Sequence, residues 1–121
     1  MAAQTTAARA TQRSTRQSPY KMRLVIDEIR GKSVNDALAY LAFSKKHAAK
    51  QIEKTLRSAV ANAQQKADTT GSFLDTDELY VREAYVNEGP RLKRFRAAAM
   101  GRAAPRIKRT SQITIIVDRK E

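Results

Sequence analysis

The chain has 121 residues, no cysteine, a net charge of +12 and a pI near 10.5. Its length fits one domain; the absence of cysteine excludes disulfides and thiolate chemistry, and no apolar run approaches the ~20 residues of a membrane span. An anionic polymer or surface is therefore the first partner to consider.

The placement of the charge says more than its total. Residues 1–26 hold five cations and no acid, and residues 91–109 hold eight cations and no acid. The other eleven cations are balanced by all twelve acids, so two segments carry the entire positive excess. Most of these cations are Arg, which suits phosphate and base-face contacts.

In chain order, residues 1–17 are polar and basic, with Arg9, Arg13 and Arg16 and no helical period. They read as a flexible tail or as an edge strand with alternating Arg. Their acid-free Arg/Ser/Thr composition loosely resembles a transit peptide, but it equally suits a nucleic-acid-binding extension, and the cytoplasm is the default location. Ser18-Pro19 opens a first helix, with serine as N-cap and proline at the first position. Met22, Val25, Ile26 and Ile29 share one face of it, and Gly31 stops it. Lys21 and Arg23 sit in its first turn, against the helix dipole, which becomes favourable if phosphate occupies that end; two ordinary surface cations would look the same. Ser33 to Asp36 resembles a capping arrangement for a second helix ending near Phe43, with Val34, Ala37, Leu38 and Leu41 inward. A third, longest helix spans about Lys45 to Ala67, with a stripe of Ala48, Ile52, Leu56, Ala59, Val60, Ala63 and Ala67 whose alanines allow close packing on the first two helices. His47, the only histidine, reads as a surface or capping residue.

Asp68 to Ser72 reads as a loop. Asp75, Asp77 and Glu78 lack the glycine and distal glutamate of a calcium loop and read as a polar connection. Leu79–Val86 and Gln112–Val117 read as strands, the latter with Ile113, Ile115 and Val117 on one face. Between them lies a basic hairpin, from Glu88 to Val117 at its fullest, with thirteen residues per arm and a reach of roughly 40 Å. Cations alternate with Leu92, Phe95 and Ile107, which offers phosphate contacts and apolar faces for stacking or wedging. The middle, Ala97 to Gly101, is small and uncharged. An isolated hairpin is barely stable in water, so this one needs a surface to lie against.

No glycine-rich phosphate loop, paired acid site or histidine/cysteine set is present, so an enzyme is not expected and no cofactor or metal is called for. The rival readings are an architectural DNA binder using Pro90 or Pro105 as a minor-groove wedge, and a nuclease with a metal held by Asp75, Asp77 and Glu78.

Ser18-Pro19-Tyr20-Lys21-Met22-Arg23-Leu24-Val25, with Ile29-Arg30-Gly31-Lys32, resembles the opening helix of the large ribosomal subunit protein twenty-two family. Ala59 to Ala63 matches its long helix, and the most specific matches are Glu88-Gly89-Pro90, Leu92-Lys93-Arg94, Gly101-Arg102-Ala103 and Lys108-Arg109-Thr110-Ser111. The resemblance runs from about Thr15 to the C-terminus. It implies an α+β fold, three helices packed on a small antiparallel sheet with a long protruding basic β-hairpin. The expected layout is a single domain, with a globular body at about 15–88 and 110–121, a hairpin at about 88–113 and an N-terminal basic segment at 1–17. It further implies a structural constituent of the cytoplasmic ribosome, without membrane or autonomous homo-oligomer. Such a protein binds large-subunit ribosomal RNA, aids assembly, contacts neighbouring ribosomal proteins and lines the nascent-peptide exit tunnel with its hairpin tip. By resemblance, Arg91, Lys93, Arg94, Arg96, Arg106, Lys108 and Arg109 clamp RNA in the arm, joined by Arg9, Arg13, Arg16, Lys21 and Arg23 in the body and N-terminal segment, while Ala99, Met100, Gly101 and Arg102 form the tunnel tip. Two departures are Ala97-Ala98, where the family often has Pro-Arg, and Gln112, where it often has His.

Overall fold

Ile113, Ile115 and Val117 occupy alternate positions of the last strand, and all three are fully buried. That strand is the middle of the body. The computed structural model describes residues 7–71, 74–97, 99–101 and 103–119. They form β1 (Ala8–Thr15), α1 (Pro19–Ile29), α2 (Val34–Phe43), α3 (His47–Thr70), a 3-10 turn (Thr76–Glu78), β2 (Leu79–Glu88), β3 (Leu92–Ala97), a tip turn (Ala99–Gly101), β4 (Ala103–Lys108) and β5 (Ser111–Arg119). The body sheet has the order β1-β5-β2 and is antiparallel throughout; β3 and β4 form a separate two-stranded arm. The three helices bury Met22, Val25, Ile26, Ile29, Val34, Leu41, Ile52 and Leu56 against the sheet. The α+β fold expected from the sequence is the one observed.

Each helix follows its local signals, with informative exceptions. Ser33 accepts a hydrogen bond from the Asp36 amide at 3.3 Å and so caps α2. Ser18 precedes α1 but its side chain makes no capping bond. The third helix starts two residues late and ends three residues past Ala67, because Thr69 and Thr70 donate their hydroxyls to the carbonyls of Gln65 and Lys66 and so sit inside the helix. Gly71, at φ 73°, then ends it. Its alanine stripe meets the sheet more than the helices: α3 lies mainly across β1 and β5, with Ala8 and Ala10 buried beneath it. Small residues on both sides let the backbones approach, and Asn62 donates to the Arg9 carbonyl at 2.9 Å. Thus residues 8–15 belong to the body, not to a separate N-terminal segment.

The β2 edge of the sheet is covered. Along β2, Gly31 donates to the Val81 carbonyl, and Val81 donates to the Lys32 carbonyl. Farther along, Arg30 donates twice to the Ala84 carbonyl (3.1 and 2.7 Å) and Arg23 twice to the Val86 carbonyl (3.1 and 2.9 Å). These bonds occupy the carbonyls that an edge strand would offer to another chain.

The hairpin is shorter than thirteen residues per arm. Pairing of β2 with β5 runs from Leu79↔Arg119 to Glu88↔Ser111, so its lower half is body sheet. The free arm has six residues per strand, a reach of about 20 Å. The apolar alternation of β5, continuous with the arm in sequence, belongs to the core. Two one-residue insertions lie on the same side of this ladder. One is at Arg82, which switches the buried set from Leu79 and Val81 to Ala84 and Val86. The other separates Glu88↔Ser111 from Leu92↔Lys108. Such insertions bend and twist a ladder.

The second insertion is held by close contacts. Gly89 donates to the Thr110 carbonyl at 2.9 Å, the Thr110 hydroxyl donates to the Pro90 carbonyl, and the Ser111 hydroxyl donates to the Gln17 carbonyl. A Cβ at Gly89 would stand 2.5 Å from Thr110 Oγ1. Gly89→Ala should therefore cost about 1–3 kcal/mol of stability, measured by urea unfolding, and Thr110→Ala in the same chain should recover part of it; full stability of the single variant would contradict this packing.

Candidate nucleic-acid interface

The root of the arm opens into a groove of about 490 Å³, where four stretches of chain distant in sequence converge. Arg16 comes from the β1–α1 link, Lys21 from α1, His47 from the start of α3, and Lys108 and Arg109 from the end of β4. All five are exposed. The N-terminal ends of α1 and α3 border this groove through Ser18 and His47, and neither helix has a side-chain cap or an acid in its first turn. Uncapped amides and the positive end of each helix dipole thus add to the side-chain charge. Cations, amide donors and hydroxyls with no acid among the lining residues make a surface suited to phosphate oxygens.

Beyond the root, the register divides the arm into two faces. Directly paired residues of an antiparallel ladder lie on the same face, and faces alternate along each strand. The pairs Leu92↔Lys108, Arg94↔Arg106 and Arg96↔Ala104 share one face, and Lys93↔Ile107, Phe95↔Pro105 and Ala97↔Ala103 share the other. The first face carries four cations and the second carries one. At the tip, Met100 adopts a left-handed conformation (φ 63°, ψ 34°), followed by Gly101 at φ 74°. For a residue other than glycine this conformation costs about 1–2 kcal/mol, and the Met100 side chain is 97% exposed.

The expected contact residues fall into three groups. Arg16, Lys21, Lys108 and Arg109 meet in the groove. Arg91 lies in the link between β2 and β3, 3.5 Å from Glu88, and Lys93, Arg94, Arg96 and Arg106 lie on the arm. Arg9 and Arg13 are on β1; Arg9 lines a separate groove with Asn62 and Lys66 at the far end of α3. Arg23 is different, because its guanidinium is engaged by the Val86 carbonyl and supports the β2 edge. Of the tip residues, Ala99, Met100 and Gly101 form the turn, and Arg102 lies outside the described residues, as does Ala98. His47, expected at the surface or as a cap, is on the surface, but Lys46 takes the cap position and His47 lines the groove. Nothing local marks it, since its role depends on the arm returning beside α3. Asp75, Asp77 and Glu78 have structural partners: Asp75 caps the 3-10 turn, Asp77 accepts from Asn35 at 2.5 Å, and Glu78 pairs with Arg119 at 3.3 Å.

The sequence profile of the family described as "Ribosomal protein L22p/L17e" matches residues 10–118. The chain belongs to this family. That span includes most of β1, all three helices, the arm and nearly all of β5. The chain is also similar to proteins named large ribosomal subunit protein uL22. The one from Lactobacillus delbrueckii subsp. bulgaricus is 54% identical over 97% of this chain and 96% of its own length. The one from Ligilactobacillus salivarius is 53% identical over 99% and 100%, and the one from Magnetococcus marinus 53% identical over 91% and 93%. Membership in the L22 family makes the chain a structural ribosomal protein and not an enzyme.

The groove and the β2 edge use cations for different purposes, and stability separates them. Lys21→Ala with Arg109→Ala should change unfolding free energy by no more than about 0.5 kcal/mol, as for exposed sites, while reducing the thermal stabilisation given by pyrophosphate at constant ionic strength. Arg23→Ala should cost about 1 kcal/mol and leave the pyrophosphate effect intact. The reverse pattern would refute the division.

Proposed function

We propose that the chain binds large-subunit ribosomal RNA in the cytoplasmic ribosome, supports assembly of the subunit, and reaches the nascent-peptide exit tunnel with the tip of its arm. The observation that carries this reading is the groove, which joins Arg16 and Lys21 to Lys108 and Arg109 at the end of the arm. Two regions of positive charge separated by the 64 residues of nearly neutral sequence from 27 to 90 meet as one surface. Bound among phosphates, the mutual repulsion of these cations is cancelled and counterions are released, so affinity falls steeply with salt. The arm has no acid, Lys93, Arg94, Phe95, Ile107 and Lys108 are exposed along it, and its small tip carries the exposed Met100. Neighbouring ribosomal proteins and the nascent peptide are the further partners of this reading. No described helix is long and apolar enough to cross a membrane.

Two experiments test the parts separately. Arg94→Glu with Arg109→Glu turns two phosphate attractions into repulsions and should reduce assembled large subunits in cells that depend on the variant; normal subunit profiles would overturn the RNA-clamping role. A photocrosslinker at Met100 should reach tunnel RNA or nascent peptide in translating ribosomes. Crosslinks confined to solvent-side proteins would overturn the tip assignment.

A further inference from the structure

We infer that Phe95 is a base-stacking residue: the less charged face of the arm packs on an unstacked nucleobase, while the opposite face neutralises phosphate. The inference rests on the RNA-binding reading above and specifies what the second face of the arm recognises.

Phe95 is 72% exposed and Ile107 is 51% exposed. They are diagonal neighbours on one face of the ladder, since Phe95 pairs with Pro105 and Ile107 with Lys93. Cα atoms so related lie about 7–8 Å apart, and together they present a flat apolar platform about the size of a base. Beyond its own pairing, the arm makes no extended contact with another element among the described residues, so no described element covers this platform.

The surrounding charge selects the occupant. Lys93 stands on the same face beside the platform, and the register puts Lys108, Arg94, Arg106 and Arg96 on the opposite face. No acid occurs between Glu88 and Asp118. A partner lying here must offer an apolar plane and negative charge side by side. One nucleotide of a single-stranded segment does so, with its base for Phe95 and its phosphate for Lys93. An apolar protein surface would leave Lys93 without a counter-charge. A second copy of the chain would bring two acid-free cationic arms together, which like-charge repulsion opposes. Paired duplex would withhold the base face.

Salt dependence separates stacking from phosphate contact. Binding of the whole chain to protein-free large-subunit ribosomal RNA is measured over a range of salt concentrations. Phe95→Ala should weaken binding by about 5- to 100-fold, and Phe95→Leu nearly as much, whereas Phe95→Tyr should stay within about 3-fold of the parent. None of these should alter the slope of log affinity against log salt; Arg94→Ala should lower its magnitude by about 1. The ring is exposed, so thermal unfolding of all three Phe95 variants should match the parent. A photocrosslinker at position 95 in assembled subunits should attach to a nucleobase. Parent-like binding by Phe95→Ala or Phe95→Leu, or crosslinks only to protein or nascent peptide, would overturn the stacking role while leaving RNA binding intact. Absence of salt-dependent binding by the parent chain would instead defeat the reading on which it rests.

Discussion

Pairing of β5 on both sides is the interaction on which the rest of the molecule depends. Its backbone groups are shared between β1 and β2, and its inward residues are covered by α3 and α1. The arm is the same antiparallel ladder carried beyond the core, with one extra residue at the junction. Its direction is therefore set by the most buried strand in the chain. Gly89 and Thr110 transmit that setting through a contact that leaves no room for a side chain at position 89.

The charge distribution works against folding and in favour of binding. The core needs no help from surface ion pairs, which are worth little in water. Most pairs that exist lie away from the groove, as in Arg57 with Glu53 and Arg82 with Asp118. Around the groove the usual helix devices are missing: no side chain caps α1 or α3 and no acid sits in either first turn. A ligand phosphate would supply what those omit. The same economy appears on the arm, where the residues that could have formed a small apolar core stay exposed. Local rules of stability are relaxed where a partner is expected to complete the structure.

Much of the body could be read from the chain. Pro19 and Ser33 mark two helix starts, and the stripe from Ala48 to Ala67 marks the third helix, because caps and periodicity are local signals. The end of α3 is not legible in the sequence, because threonines that favour loops also satisfy their hydroxyls within a helix, and only Gly71 decides between the two. The length of the arm is not legible either, because Ile113, Ile115 and Val117 alternate as they would in any strand, and sequence does not say whether that face meets core or partner. Arg9, Arg13 and Lys21 were recognisable as accessible cations, but Arg23, of the same type and segment, was not recognisable as a support for the Val86 carbonyl. The groove could not be read at all. Its members lie as far apart as Arg16 and Arg109, and only β-pairing across the whole chain brings them together.

The order of the strands also fixes when the protein can fold. Ala8 pairs with Val117, so the first strand made waits for the last. During synthesis α2 and α3 can form their local contacts, but β1 and β2 have no strand between them and the apolar faces of the helices have no sheet to rest on. Closure requires nearly the full length of the chain, a high contact order that slows folding. Dense like charge at the start of the chain and along the arm keeps the open form extended through that interval. The charge that equips the finished protein to grip a polyanion thus also opposes collapse of its unfinished chain.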